Sequence, residues 1–283
     1  EQKRYRCCFS PASFILAIDE VLLEAGVDIW LDTLVCDTVL DEDKQVKAVE
    51  VENESGRGRI NAECFIDASG SGIIARKAGG ACYNEVNYTS VWALEYDKNK
   101  NALADKVSMF VGGCSSFANP EMLPTFRKID GKMVSDFVLS GRQILRDHYQ
   151  KEYSSNAVEK NELFALKVPA MPQFRKTYAV KGKKTLDSEQ YSTRFSDSIG
   201  LAADWRKSGY VWEIPYGILV PETLKGVLTA GRCISSIGDA WEITRVIPCA
   251  ALTGEAAGTA AAMAVDRNIT PDQLDISELQ EEL

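Results

Sequence analysis

The sequence has 283 residues, 45% hydrophobic and 26% charged, with 41 acidic against 32 basic residues and a net charge of −9. This is the composition of a folded globular protein, and it excludes a disordered chain. The negative balance argues against a nucleic-acid or anionic-membrane surface as the main task, because both need a positive field. At roughly 150 residues per domain the length suggests about two domains, enough to bury a core without disulfide or metal staples.

The eight cysteines form no Cys-x-x-Cys pair, and the single histidine, His148, leaves no Cys/His zinc cluster to assemble. No metal site is expected. One histidine also excludes most nucleophile–His–acid triads, unless His148 is itself the base. There is no signal peptide and no apolar run of about 18 residues, so the expected location is the reducing cytoplasm, away from membranes. The chain opens at Glu1 without Met, and is read as a fragment of something longer.

Residues 12–25 carry apolar side chains at helical spacing, Phe14, Ile15, Ile18, Leu22 and Ala25. Ser10-Pro11 supplies a cap and a first-turn proline, and Gly26 stops the helix. Strand-like runs follow at 28–40 and 46–52, on either side of the turn Asp41-Glu42-Asp43-Lys44. After Gly56-Arg57-Gly58 comes a short apolar strand, Glu63 to Asp67. That strand runs straight into Ala68-Ser69-Gly70-Ser71-Gly72 and a small helix ending at Gly79-Gly80. The layout is α/β.

From about residue 83 to 215 the texture changes, with aromatics interleaved among short strands (Tyr88 to Tyr96, Val107 to Val111) and a helix expected at 134–150. On that helix His148 is expected to be exposed and structural. This stretch reads as a second domain. Gly226 to Gly231 is then a short strand ending on glycine, and Pro248 opens an alanine-rich helix that runs to about Val265. Ala250, Gly254, Gly258 and Ala262 fall at steps of four, so that face is expected to pack closely on a sheet or ligand. Ile247, before the proline, cannot cap, and the first N–H groups need another acceptor, such as water or ligand oxygens.

Gly70-Ser-Gly-Ile-Ile-Ala75 matches a G-x-G-x-x-A dinucleotide turn between strand and helix. No acidic residue ends a second strand about 20 positions later, where ribose recognition would want one. A plain glycine turn explains the match equally well, and a nicotinamide site is the weaker alternative. Cys7-Cys8 and Cys233 read as small packing residues before they read as redox groups. Trp205, Trp212 and Trp241 read individually as core before pocket, and Asp197 has no assigned role.

Three stretches carry a family resemblance. Phe65-Ile-Asp-Ala-Ser-Gly-Ser-Gly-Ile-Ile-Ala-Arg-Lys-Ala-Gly79 resembles a strand and turn beside the cofactor in FAD-dependent oxidoreductases of the glutathione-reductase-like superfamily. Ile214-Pro-Tyr-Gly-Ile-Leu-Val-Pro221, Val227-Leu-Thr-Ala-Gly-Arg-Cys-Ile-Ser235 and the run from Arg245 to Ala262 look like the C-terminal signature of the bacterial FAD-dependent oxidoreductase family. The resemblance is fullest over 212–283 and partial over 10–80 and 170–205. Pro172-Gln-Phe-Arg175 retains one arginine, Arg175, of a run that many relatives carry there, and lacks two others.

The resemblance implies an α/β fold: a partial Rossmann-like FAD-binding domain made of residues 1–82 and 213–283, with a β-rich substrate or cap domain, 83–212, inserted. It implies FAD as cofactor. Val35 would touch the adenine side, and Ala68, Ser69 and Gly70 the pyrophosphate and ribose. Gly231 and Arg232 would follow the ribityl chain, with Arg245, Val246 and Ile247 facing the isoalloxazine. The implied activity is hydride transfer between a small organic substrate and FAD, with no nameable catalytic base. The family's opening G-x-G-x-x-G turn does not occur in the sequence. Residues 1–283 by themselves are therefore expected to hold no FAD, to turn nothing over, and to self-associate through an exposed sheet edge. The competing expectation is a non-catalytic binding or assembly module that keeps the fold without the cofactor.

Overall fold

The structure is a computed structural model that describes residues 10–99, 107–113, 125–127, 129–155, 158–168 and 172–283. Cys7-Cys8 and the middle of the Pro-punctuated stretch at 168–172 lie outside the described residues. Helix α1 (Pro11–Glu24) leads into β1 (Leu34–Leu40), β2 (Val46–Asn53), β3 (Gly56–Asn61), β4 (Phe65–Asp67) and α2 (Ile73–Lys77). Next come β5 (Cys82–Tyr83), β6 (Asn87–Tyr88), β7 (Ser90–Asp97), β8 (Val107–Gly113), β9 (Thr125–Phe126) and α3 (Gly131–Ser154). The chain continues through β10 (Leu163–Lys167), β11 (Ala179–Val180), β12 (Ser198–Ala203), β13 (Val211–Pro215) and β14 (Val227–Thr229). It closes with α4 (Gly238–Thr244), α5 (Ile247–Asp266) and α6 (Ile276–Glu282). The fold is mixed α/β, with several small sheets and, among the described residues, six helices.

Helix α1 begins on its sequence signals: the Ser10 hydroxyl accepts from the Ser13 amide and Pro11 occupies the first turn. Its apolar residues nevertheless find no core, and none of the helix is buried. Strand β1 starts later than expected, because Asp32 adopts a left-handed backbone (φ +48) that interrupts an extended run from 28.

Gly56-Arg57-Gly58, given no element from the sequence, is the first half of β3, an exposed edge strand antiparallel to β2. Its pairing is fixed across the sheet, where Glu50 on β2 accepts from Arg57 Nε (3.0 Å) and Arg59 (3.1 Å). Cross-strand charge pairs of this kind set register where no apolar alternation exists.

The parallel pair β4–β14 sits at the centre, in the register Val227↔Phe65, Leu228↔Ile66 and Thr229↔Asp67. One core cluster spans β12, β13, β14 and helices α4 to α6; a second joins β2, β4, α2 and Leu224. The sheet β10–β7–β8 carries α3. His148 on α3 is not the exposed residue expected: its ring stacks on Phe110 (4.3 Å), and its Nε2 lies 3.3 Å from the buried Glu95 carboxylate.

Helix α5 contradicts the close-packing reading of its small-residue stripe. The residues it buries are Cys249, Thr253, Ala256, Ala257, Ala260 and Ala264. Gly254 and Gly258 face outward, and a Cβ added at either meets nothing within 4 Å. Alanine lies on both faces, so size periodicity alone does not tell the inner face from the outer. Gly258→Ala is accordingly expected to stabilise the protein by about 0.5–1 kcal/mol through helix propensity. A raised melting temperature checks this, and a lowered one would put that face back in the core. Among the described residues, no single helix is long and apolar enough to cross a membrane.

Candidate functional site

Strands β4 and β14 run parallel and end side by side, so the loops leaving their carboxyl ends share one crevice. In open α/β sheets that position receives ligands. Asp67, the last residue of β4 and only 2% exposed, organises the first loop. Its Oδ1 accepts from the Ser69 amide (3.1 Å) and hydroxyl (2.6 Å), and its Oδ2 accepts from the Ile74 amide (2.8 Å). The Ser69 hydroxyl in turn accepts from the Ile73 amide (3.3 Å). The Ile73 and Ile74 amides of α2 are thus consumed within the loop. A nicotinamide-type site at Gly70–Ala75 loses two of the amides it would use for a pyrophosphate.

The second loop is tied to the first. Arg232 donates through Nε to the Gly70 carbonyl (3.0 Å) and through NH1 to that of Phe174 (2.7 Å). The Thr177 hydroxyl donates to the same Gly70 oxygen (3.1 Å), and the Ala230 amide donates to the Asp67 carbonyl (3.1 Å). The backbone passes so close that a Cβ at Gly70 would sit 2.9 Å from the Arg232 guanidinium. Ala68, Ser69, Gly70, Gly231 and Arg232 are therefore gathered at one place.

Helix α5 reaches the same place by its N-terminus. Gly231, at φ +68, donates its amide to Thr253 Oγ1 (3.0 Å), and the Ala250 methyl lies beside it. Val246 stands at the N-cap with no side-chain cap, and Ile247 is 73% exposed. The expectation that this helix lacks a cap holds, one residue earlier than expected. The end of the helix carries partial positive charge and first-turn amides open to an acceptor. Val35 stands on a different sheet, half-buried on β1 against the cluster of Val46, Phe65 and Ile74.

Beside α5 opens a cavity of about 770 Å³. Its lining combines apolar residues, Tyr88, Trp92, Met109 and Val111, with charged ones, Arg175, Lys176, Arg206, Asp239, Glu242 and Arg245. Lys176 Nζ bridges Glu85 (2.6 Å) and Glu242 (3.0 Å), and Arg245 Nε donates to Glu242 (2.8 Å). Burial pushes the Glu242 carboxyl up, but Arg245 and Lys176 outweigh it and hold the group below the usual carboxylate range. Arg206 donates to Asp204 (3.3 Å) and to Asp239 (3.0 Å).

Trp205 lines this cavity, whereas Trp212 and Trp241 are fully buried core. Cys233 is buried with its thiol pushed up to about 12 by desolvation, which removes it as a nucleophile. Asp197 is structural, accepting from Lys184 Nζ (2.5 Å) and the Gly217 amide (3.1 Å).

Sequence reasoning missed the charged lining apart from Arg245 and Arg175. Glu85, Lys176 and Glu242 come from three separate parts of the chain, and no local spacing announces their meeting. Among the described residues, no group of His, Cys, Asp or Glu is arranged to hold a metal ion.

An α/β protein with two glycine loops and a bare helix N-terminus at the ends of parallel strands has the makings of a nucleotide-cofactor binder. The chain matches the family model of the FAD dependent oxidoreductases over residues 1–90 and 91–283, and it belongs to that family. No curated protein matches it.

Among solved structures it is similar to CabE, an aromatic hydroxylase from angucycline biosynthesis, at 11% identity and TM-score 0.41, covering 78% of this chain and 36% of that one. It is similar to a geranylgeranyl bacteriochlorophyll reductase-like protein from Thermoplasma acidophilum at 12% identity and TM-score 0.48, covering 95% and 57%. BexE, studied for oxidation during BE-7585A biosynthesis, aligns at 13% identity and TM-score 0.44, covering 91% and 43%. The chain spans between about a third and three fifths of the length of these structures. The family assignment rests on the family model.

Proposed function

We propose that this chain supplies the flavin-facing and substrate-facing parts of an oxidoreductase that moves a hydride between a small organic molecule and FAD. The observation that carries the reading is the convergence of the Gly70 loop, Gly231-Arg232 and the uncapped end of α5 beside a cavity that shares Arg245 and Val246. The residues fit the cofactor. Gly70 leaves room for the Arg232 guanidinium to lie against the loop, and the α5 amides offer donors without a side-chain acceptor.

Bound FAD supplies the two-electron acceptor that no side chain here provides. The chain's own part is binding and placement. Arg232 ties the two loops through the Gly70 and Phe174 carbonyls, and the α5 N-terminus favours negative charge placed against it. The apolar residues Tyr88, Trp92, Met109 and Val111 offer solvent-exposed surface for an apolar substrate to cover, which would displace water from the reacting face. In this reading β4 and β14 belong to a Rossmann-like sheet, and the β10–β7–β8 sheet with α3 is the substrate cap. The protein works in the cytoplasm.

The test uses the longest natural polypeptide that contains residues 1–283, because these residues alone are expected to fall short of tight FAD binding. Purified or reconstituted, it is expected to show the two visible bands of oxidised flavin. Gly231→Val, which forces a β-branched residue into the left-handed region at the loop, is expected to lose that colour while keeping native circular dichroism. A folded wild-type protein that takes up no FAD would overturn the reading and favour the non-catalytic module.

A further inference from the structure

We propose that the cavity beside α5 binds an organic carboxylate with an apolar body, the carboxylate seated on Arg175 and the body against Trp92, Met109 and Val111. This deepens the oxidoreductase reading by naming its substrate class. The charged lining leads to it by elimination. Lys176 is matched by Glu85 and Glu242, Arg206 by Asp204 and Asp239, and Arg245 by Glu242. The Arg175 guanidinium is the exception in this lining: it has no hydrogen-bond or ion-pair partner among the described residues.

Its backbone is nonetheless held firmly. The Arg175 and Lys176 amides both donate to Asn87 Oδ1 (2.8 and 2.9 Å), and Asn87 is itself buried and donates to the Lys176 carbonyl (3.0 Å). A guanidinium anchored at its base and open at its tip is preorganised for a ligand. Burial, then Arg245 and Arg232 as like-charged neighbours, pull the Arg175 pKa below its ordinary value, outweighing the opposite pull of the Glu242 carboxylate. An incoming anion relieves that repulsion.

The planar fork of arginine matches a carboxylate with two parallel donors. The apolar lining adds the second half of the signature. Met109 and Val111 are 62% and 52% exposed on β8, apolar surface that an apolar ligand body would cover. A volume of about 770 Å³ lies within the roughly 300–1,000 Å³ of small-molecule pockets.

The experiment is a calorimetric titration of the folded protein with 3-phenylpropanoate, its neutral counterpart 3-phenylpropanol, and a panel of straight-chain carboxylates from propanoate to octanoate. The acid is expected to bind at least about tenfold more tightly than the alcohol. Arg175→Gln is expected to abolish that preference while leaving alcohol binding and the melting temperature unchanged, since the side chain has no partner to lose. Arg175→Lys is expected to restore part of the preference. Equal binding of acid and alcohol, an unaltered preference in Arg175→Gln, or no binding by any carboxylate of the panel would overturn the proposal. The readout needs no flavin. A protein that binds carboxylates through Arg175 but never takes up FAD would sink the oxidoreductase reading alone.

Discussion

Replacing Gly72 with valine is expected to cost about 2–5 kcal/mol, the sum of two local penalties. Gly72 is the N-cap of α2 at φ +60, where a β-branched residue carries about 1–2 kcal/mol of backbone strain. A Cβ there would also lie 2.6 Å from Val180 Cγ2, between two packed segments of the second core, and overpacking adds about 1–3 kcal/mol. Urea denaturation measures the sum, and an unchanged midpoint would mean that the turn is not left-handed. The magnitude has a consequence for ligand assays. Loss of nucleotide binding in this variant would report a damaged fold, so it does not diagnose a phosphate contact at the glycine turn.

Asp67→Ala is expected to cost about as much. The carboxylate is the acceptor for the Ser69 and Ile74 amides and the Ser69 hydroxyl, and the Ile74 amide is buried. The hydroxyl and the amide of the exposed Ser69 can turn to water, but the buried Ile74 amide cannot. At about 1–3 kcal/mol for the stranded Ile74 donor and about 0.5–1.5 kcal/mol for the lost Ser69 amide bond, the loss is about 1.5–4.5 kcal/mol. Against a typical stability of about 5–15 kcal/mol, this can take a large share of the fold. Asp67→Asn keeps one acceptor oxygen but turns an amide N–H toward a donor, so it should fall between alanine and wild type. A denaturation midpoint for Asp67→Ala equal to wild type would show that the loop after β4 is held by something else.

Much of the architecture was legible where chain chemistry acts locally. Ser10-Pro11 and Gly26 bracket α1, Gly231 follows β14, and Pro248 marks the start of α5, because caps, prolines and glycines act within a turn of their own position. What escaped depended on partners distant in sequence. Strand β3 is exposed and pairs along β2, where Glu50 receives Arg57 and Arg59. Helix α4 spans seven residues without a side-chain cap, too short to display a period. His148 looked like a polar helix residue until β7 brought the Glu95 carboxylate against it.

The candidate site divides in the same way. Its glycine loops and bare helix end could be read from the sequence, since they are backbone features. The Glu85–Lys176–Glu242 network could not, since its members meet only after three segments have packed.

Hydrogen exchange with and without FAD, on the longest natural polypeptide containing residues 1–283, tests the location of the flavin site most directly. Bound cofactor is expected to slow exchange at the amides of Gly70 and Gly72, Gly231 to Cys233, Ile247 and Cys249, and around Val35 on β1, with little change across the edge strand β3. Tight FAD binding with no protection at these loops and the start of α5, or with protection concentrated on another face, would contradict the account.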